Sequence, residues 1–157
     1  MIVKTKKYKL DTSTYVQLCL QNIVREQWWI FLIALAVMSG TFFIKTIWFV
    51  LIANIALVLY FLFWIIQFYG ITYLEQNQLI FERLRYEISS QQIIIQLTSK
   101  QGMPIKWDQV QRVSAKKDAF VLVISKAHLI YLPHKIFNSP HEIKFVETIL
   151  KRKGLLP

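Results

Sequence analysis

Three histidines, His128, His134 and His141, stand six and seven residues apart toward the C-terminal end of the chain. Imidazole is a common zinc ligand, but zinc-binding pairs sit closer, as with histidines four apart on one helix face. These three fall in a strand, a loop and a helix start, so solvated or capping roles account for them. Asp108 and Asp118 would suit an acid–base pair if two loops brought them together, yet aspartate is also an ordinary turn residue. Cys19 is the only cysteine, which excludes an intrachain disulfide and suits a reducing cytosol. It reads as a small apolar residue on a buried helix face. The chain has no Walker A loop, dinucleotide fingerprint, G-x-S-x-G elbow or Cys/His nucleophile arrangement. Its four glycines leave little material for a phosphate-cradling loop. No metal or cofactor is expected, and an enzyme of unknown type is the minor alternative.

The strongest signal in the chain is physical rather than catalytic. Trp28 to Ile44 carries no charge, Lys45 interrupts, and Thr46 to Tyr69 is again uncharged. As helices these segments would be about 25 Å and more than about 30 Å long, enough to cross a hydrocarbon core of about 30 Å, the first with little to spare. The sequence therefore predicts an α+β membrane protein with a two-helix transmembrane hairpin over 28–69 (spans 28–44 and 46–69). A cytoplasmic strand and helix precede it in 1–27, a juxtamembrane helix or linker occupies 70–82, and a small cytoplasmic domain follows in 83–157. No signal-peptide pattern precedes the first span, which reads as a retained anchor.

Charge sets the expected orientation. Of 19 basic residues, five precede the first span, one lies between the spans and 13 follow the second. Flanking Lys and Arg stay cytoplasmic, so both termini are expected inside the plasma (inner) membrane. Trp28, Trp29, Trp64, Phe68 and Tyr69 would anchor at the inner interface and Trp48 near the outer one. Lipid proximity and the topology rule explain the basic balance. No helix-turn-helix, zinc-finger or RNA-binding strand motif accompanies it, so no nucleic-acid partner is expected.

The flanking segments change texture. Ile2 to Leu10 alternates and then slips phase at Lys6 and Lys7, the pattern of a bulged edge strand protected by lysines. Asp11, Thr12 and Ser13 are helix-start residues, followed by Tyr15, Leu18, Cys19 and Ile23 at helical spacing. From Tyr86 onward about six short strands follow one another at the spacing of a small antiparallel barrel or sandwich. They are Tyr86–Ile88, Gln92–Thr98, the Met103/Ile105/Trp107 alternation, Val110 with Val113, Ala119–Ser125 as a central strand, and His128–Leu132. Pro104 favours an edge. Ser139, Pro140, His141 and Glu142 form a capping box with proline at the first helical position. Ile143, Val146, Ile149 and Leu150 make the apolar stripe of a closing helix that ends at Lys151, Arg152, Lys153 and Gly154.

This order of elements resembles the YcxB-like family of bacterial membrane proteins. The resemblance rests on the Tyr8–Leu10 start, Tyr86–Ile88 leading to Ile93–Ile95, Ile105 to Trp107 before Val110 and Val113, Asp118 to Leu122, and Leu132 and Pro133 before Phe137. It implies a pleckstrin-homology-like barrel capped by one helix, and it supplies no functional residue. Trp107, Leu132, Pro133 and Phe137 are read as core or boundary packing.

Two functions remain. In the first, the hairpin tethers a non-catalytic binding module for anionic lipid or a membrane partner, with Lys4, Lys6, Lys7, Lys9, Lys116 and Lys117 contacting headgroups. In the second, the chain is a structural or regulatory subunit of a larger membrane complex or homo-oligomer. Its seam would be built from small residues such as Ala36, Gly40 and Ala53, with Asn54 as the one strongly polar group deep in the second span. Asn54 could meet a backbone carbonyl of the first span, a second copy or a substrate.

Overall fold

The computed structural model describes residues 2–74, 81–96 and 102–156. The chain divides into two compact units: residues 13–73, and the described parts of residues 1–12 and 74–157. The expected strand end at Thr98, the turn before Gly102 and most of the expected linker over 70–82 lie outside the described residues.

The helical unit holds α1 (Thr12–Glu26), α2 (Trp29–Ile44) and α3 (Trp48–Tyr73). α2 ends at Lys45, whose backbone is left-handed (φ 50°) and whose N–H closes on the Thr41 carbonyl. That conformation is uncommon for a residue with a Cβ and reverses the chain within three residues, so α2 and α3 pack along each other. Gly40 faces this contact, with the Phe49 ring 3.4 Å from where a Cβ would stand. α2 buries no residue and α3 only Ala53 and Phe68, while Phe42 and Phe43 are 85% and 87% exposed. α3, with 26 residues, is long and apolar enough to cross a membrane. α2 falls short by itself; with α1 it forms a pair bent by 63°. Trp28 lies just before α2, and α3 runs on through Gly70 to Tyr73, into the segment expected to be a juxtamembrane helix or linker.

The strand unit begins with two short pieces, β1 (Val3–Lys4) and β2 (Tyr8–Lys9). Both pair antiparallel with β3 (Arg83–Ile88): Val3 faces Ile88, and Lys9 faces Arg83. The register shifts by one residue between the two pairings, so Lys6 and Lys7 together stand opposite Arg85 and the phase slip is a bulge, pinned on one side by Thr5. The Thr5 side chain is buried and accepts the Tyr86 N–H, while its own N–H reaches the Tyr86 carbonyl. β4 (Gln92–Gln96) and β5 (Gly102–Lys106) complete a five-stranded sheet, and β6 (Arg112–Lys116), β7 (Ala119–Val123) and β8 (Leu129–Pro133) form a second, three-stranded sheet. β7 is central and buried throughout, as its unbroken apolar run requires. Neither sheet closes into a barrel. Among the described residues, the N-terminal segment meets not β8 itself but the turn after it, through the Lys6 N–H to the Ile136 carbonyl, where a barrel would need a ladder.

α4 (Pro140–Arg152) covers the core with Val146, Ile149 and Leu150. The Ser139 hydroxyl accepts the Glu142 N–H, but the Glu142 carboxylate reaches past Ser139 to the Asn138 N–H at 2.8 Å. The capping box is therefore displaced by one residue. The helix ends in a Schellman pair, Leu155 N–H to Leu150 and Gly154 N–H to Lys151, with Gly154 at φ 69°. Ile88, Ile93, Leu122, Leu132, Val146 and Leu150 form the centre of the core, with Trp107 and Phe137 beside them. The Trp107 indole N–H donates to the Ser89 carbonyl at 3.0 Å, which ties the β3–β4 turn to the core.

Leu132→Ala should cost about 2–5 kcal/mol by urea or thermal unfolding, since it empties a fully buried site; Met103→Ala, on exposed β5, should stay within about 0.5 kcal/mol. Burial, and then the neighbouring Tyr8, push the Tyr86 phenol from 10.0 up to about 12. Above the ordinary value the unfolded chain deprotonates first, so this contribution is complete below pH 10 and fades as pH rises toward about 12. Tyr86→Phe should flatten the loss of stability measured by urea unfolding across that window.

Candidate functional site

The chemistry-bearing side chains of the strand unit gather around one short turn, His134–Ile136, between β8 and α4. Proline at the end of β8 cannot donate a further ladder bond, so the chain leaves the sheet there. Two neighbours then dock on the freed backbone: His134 N–H donates to the Asp118 carbonyl at 2.7 Å, and Lys6 N–H donates to the Ile136 carbonyl at 2.8 Å. The turn thereby brings the N-terminal lysine segment and the β6–β7 turn, which carries Lys116 and Lys117, to the same place. Asn138 adds a clasp from its side-chain amide to the Lys4 carbonyl at 2.9 Å.

The charges differ in what they are free to do. Lys4 is held by Glu87 at 2.9 Å across the β1–β3 pair. Lys6, Lys7, Lys9, Lys116 and Lys117 are exposed. Lys135 lies over the Tyr8 ring, 5.3 Å from its centroid, and Tyr8 in turn meets Tyr131 at 6.2 Å. A cation above an aromatic face keeps its charge accessible while its position is restrained. Lys135 was not legible as part of this cluster, because its place depends on the contact between β2 and β8. Burial raises the Tyr8 phenol, with Tyr131 and Asp11 adding to it, so the ring stays neutral beneath Lys135 at neutral pH.

The remaining candidates are dispersed. His128 lies in the β7–β8 turn, one residue before the strand expected to contain it, with its Nδ1 3.1 Å from the Ser125 hydroxyl. His134 packs on Phe120 at 5.0 Å, and His141 is in the first turn of α4. Among the described residues, no group of three or more His, Cys, Asp or Glu side chains is placed to hold a metal ion. Asp108 sits in the Trp107–Gln109 turn and Asp118 in the β6–β7 turn. Cys19 is buried, and that burial pushes its thiol up to about 12, against a smaller opposing effect of the Tyr15 hydrogen bond, so it stays protonated at neutral pH.

In the helical unit, Ala53 is buried and lines a cleft of about 290 Å³ with Ala34 and Ala56, and Gly40 receives Phe49. Ala36 and Asn54 face outward. The Asn54 amide donates to the Val50 carbonyl of its own helix at 2.8 Å rather than to α2. The polar link between the two helical segments is one that the sequence did not reveal, the Tyr60 hydroxyl donating to Gln27 Oε1.

A double-mutant cycle of Lys4→Ala and Glu87→Ala should give a coupling below about 1 kcal/mol that shrinks with added salt, because the Lys4 side chain is 64% exposed.

No curated protein and no solved structure matches the chain. The family model described as YcxB-like protein matches residues 88–150, from the last residue of β3 into α4, so this stretch of the chain is similar to YcxB-like domains.

Proposed function

We propose that the chain is a membrane-anchored, non-catalytic binding module. Its helices form a two-span hairpin in the plasma (inner) membrane with both termini cytoplasmic. Its strand unit, a pleckstrin-homology-like domain with open sheets, is held at the inner face to bind anionic lipid or a membrane partner. One observation carries this reading. β2 precedes the helices and β3 follows them, yet Lys9 pairs with Arg83. A domain built from both sides of the insert cannot stand on both sides of a bilayer, so the number of crossings must be even. If α3 crosses, the α2 segment must cross as well, and its shortness is met by thinning, by snorkelling of Lys45 and by the tryptophans at its start.

The outward faces of α2 and α3 support the same reading, because so many exposed aromatic and aliphatic side chains need a solvent other than water. Lys6, Lys7, Lys9, Lys116, Lys117 and Lys135 would then sense the anionic leaflet, at about 1 kcal/mol for each group near the surface. Lys4, paired with Glu87, contributes less. A second reading, a subunit of a larger membrane complex or of a homo-oligomer, draws on Asn54, an amide on an outward apolar face that a neighbouring helix could pair.

On the main reading, the chain stays in the pellet when membranes are washed with alkaline carbonate. In a Cys19→Ser background, an impermeant maleimide added to intact cells labels Lys45→Cys and spares Lys117→Cys. Release by carbonate, or labelling of position 117 from outside, would overturn it. Photo-cross-linking from position 54 to another polypeptide would favour the subunit reading.

A further inference from the structure

α4 turns its apolar stripe to the core, and the flank of the helix beside that stripe carries a second pattern. A groove of about 310 Å³ runs between this helix and Ser90 of the β3–β4 turn. Its floor includes Phe145 and Ile149, and His141, Lys144, Arg152 and Lys153 line it. Among the described residues, no carboxylate lines the groove. Both acids of α4 are occupied elsewhere: Glu142 accepts from Asn138, and Glu147 pairs with Lys151 at 3.2 Å. Among the described residues, none of the three groove cations, Lys144, Arg152 and Lys153, is paired with an acid. An unopposed cationic rim over an apolar floor complements an anionic amphiphile; a bare inorganic anion would leave the floor unused.

We propose that this groove binds the headgroup of an anionic phospholipid. The phosphate meets Lys144 and Arg152, with His141 and Lys153 at the two ends, and the glycerol and first acyl carbons lie on Phe145 and Ile149. The site is distinct from the lysines around the His134–Ile136 turn, which attract a charged surface without enclosing a ligand. The proposal rests on the membrane-anchored reading. The chain between Tyr73 and Arg83 spans at most about 35 Å even when extended, so an anchored domain meets bilayer lipid at high effective concentration.

The test uses the full chain in neutral detergent micelles doped with phosphatidylglycerol or phosphatidylcholine, with bound lipid counted by native mass spectrometry. Phosphatidylglycerol should be retained and phosphatidylcholine lost. Lys144→Glu with Arg152→Glu should weaken retention by about tenfold or more, while Lys144→Arg with Arg152→Lys restores it. Lys126→Glu, an exposed charge reversal in the β7–β8 turn away from both lysine groups, should leave it unchanged. The substituted side chains at 144 and 152 are exposed, and circular dichroism and the unfolding temperature verify that each variant is folded. Equal retention of the two lipids, or retention unaffected by the 144/152 charge reversal, would overturn the proposal, as would full displacement by millimolar glycerol phosphate, which would make the ligand a soluble anion. Carbonate washing is read separately. A chain that resists it yet fails the lipid test loses the groove alone, whereas a chain released by it loses the anchoring.

Discussion

The pairing of β2 with β3 is the constraint on which the rest of the structure depends. Lys9 and Arg83 are opposite one another although 73 residues separate them in sequence. Closing a loop of that length costs about 4 kcal/mol of chain entropy beyond a constant term. Short ladders cannot offset this alone, and β1 and β2 have only two residues each. Burial of Val3, the Thr5 hydroxyl bond to Tyr86 N–H, and the Asn138 clasp on the Lys4 carbonyl must contribute as well. Each comes from a different element, so the N-terminal segment belongs to the same cooperative core as β8 and α4. The helical unit is therefore an insertion into the strand unit rather than a leader placed before it.

That arrangement explains which features were legible in the sequence. Local signals survived best. The α4 start and stripe, the apolar run of β7 and the uncharged hairpin are all written within a few turns of chain, where propensity and periodicity act directly. Features that depend on distant partners were missed. The Lys6–Lys7 slip is a bulge in the sequence pattern and in the register alike, but the strand it bulges against, and the partners that Tyr86 supplies for Thr5, are not written locally. Six strands at regular spacing fit a barrel or a sandwich alike, because the choice turns on whether the first and last strands share a ladder, and spacing carries no information on that. Lys135 gains its place only through Tyr8, and Gln27 only through Tyr60.

The basic residues divide in the same way. Net charge is a property of the whole chain, but the structure gives individual cations different surroundings. Lys4 and Lys151 are matched to Glu87 and Glu147, Lys135 is braced on an aromatic ring, and Lys144 and Arg152 line a groove free of carboxylates. A uniform basic surface would follow a charged membrane through the screened field alone, with little discrimination. A groove whose own acids are engaged elsewhere adds shape to charge, and shape is what separates one anion from another.

The displaced cap of α4 connects these two parts. In an ordinary capping box the N3 glutamate returns to the N-cap N–H. Here Glu142 bonds the Asn138 N–H instead, and the Asn138 amide in turn holds the Lys4 carbonyl. One carboxylate therefore supports the start of α4, leaves the groove without a negative charge, and braces the residue that fastens the N-terminal strand. Capping, groove electrostatics and the closure that defines the insertion thus converge on Asn138 and Glu142. A neutral residue at 142 would perturb the cap and the fastening of the N-terminal strand together through the loss of one side chain while leaving the groove free of carboxylates, whereas a change at Ser139 would touch only the cap.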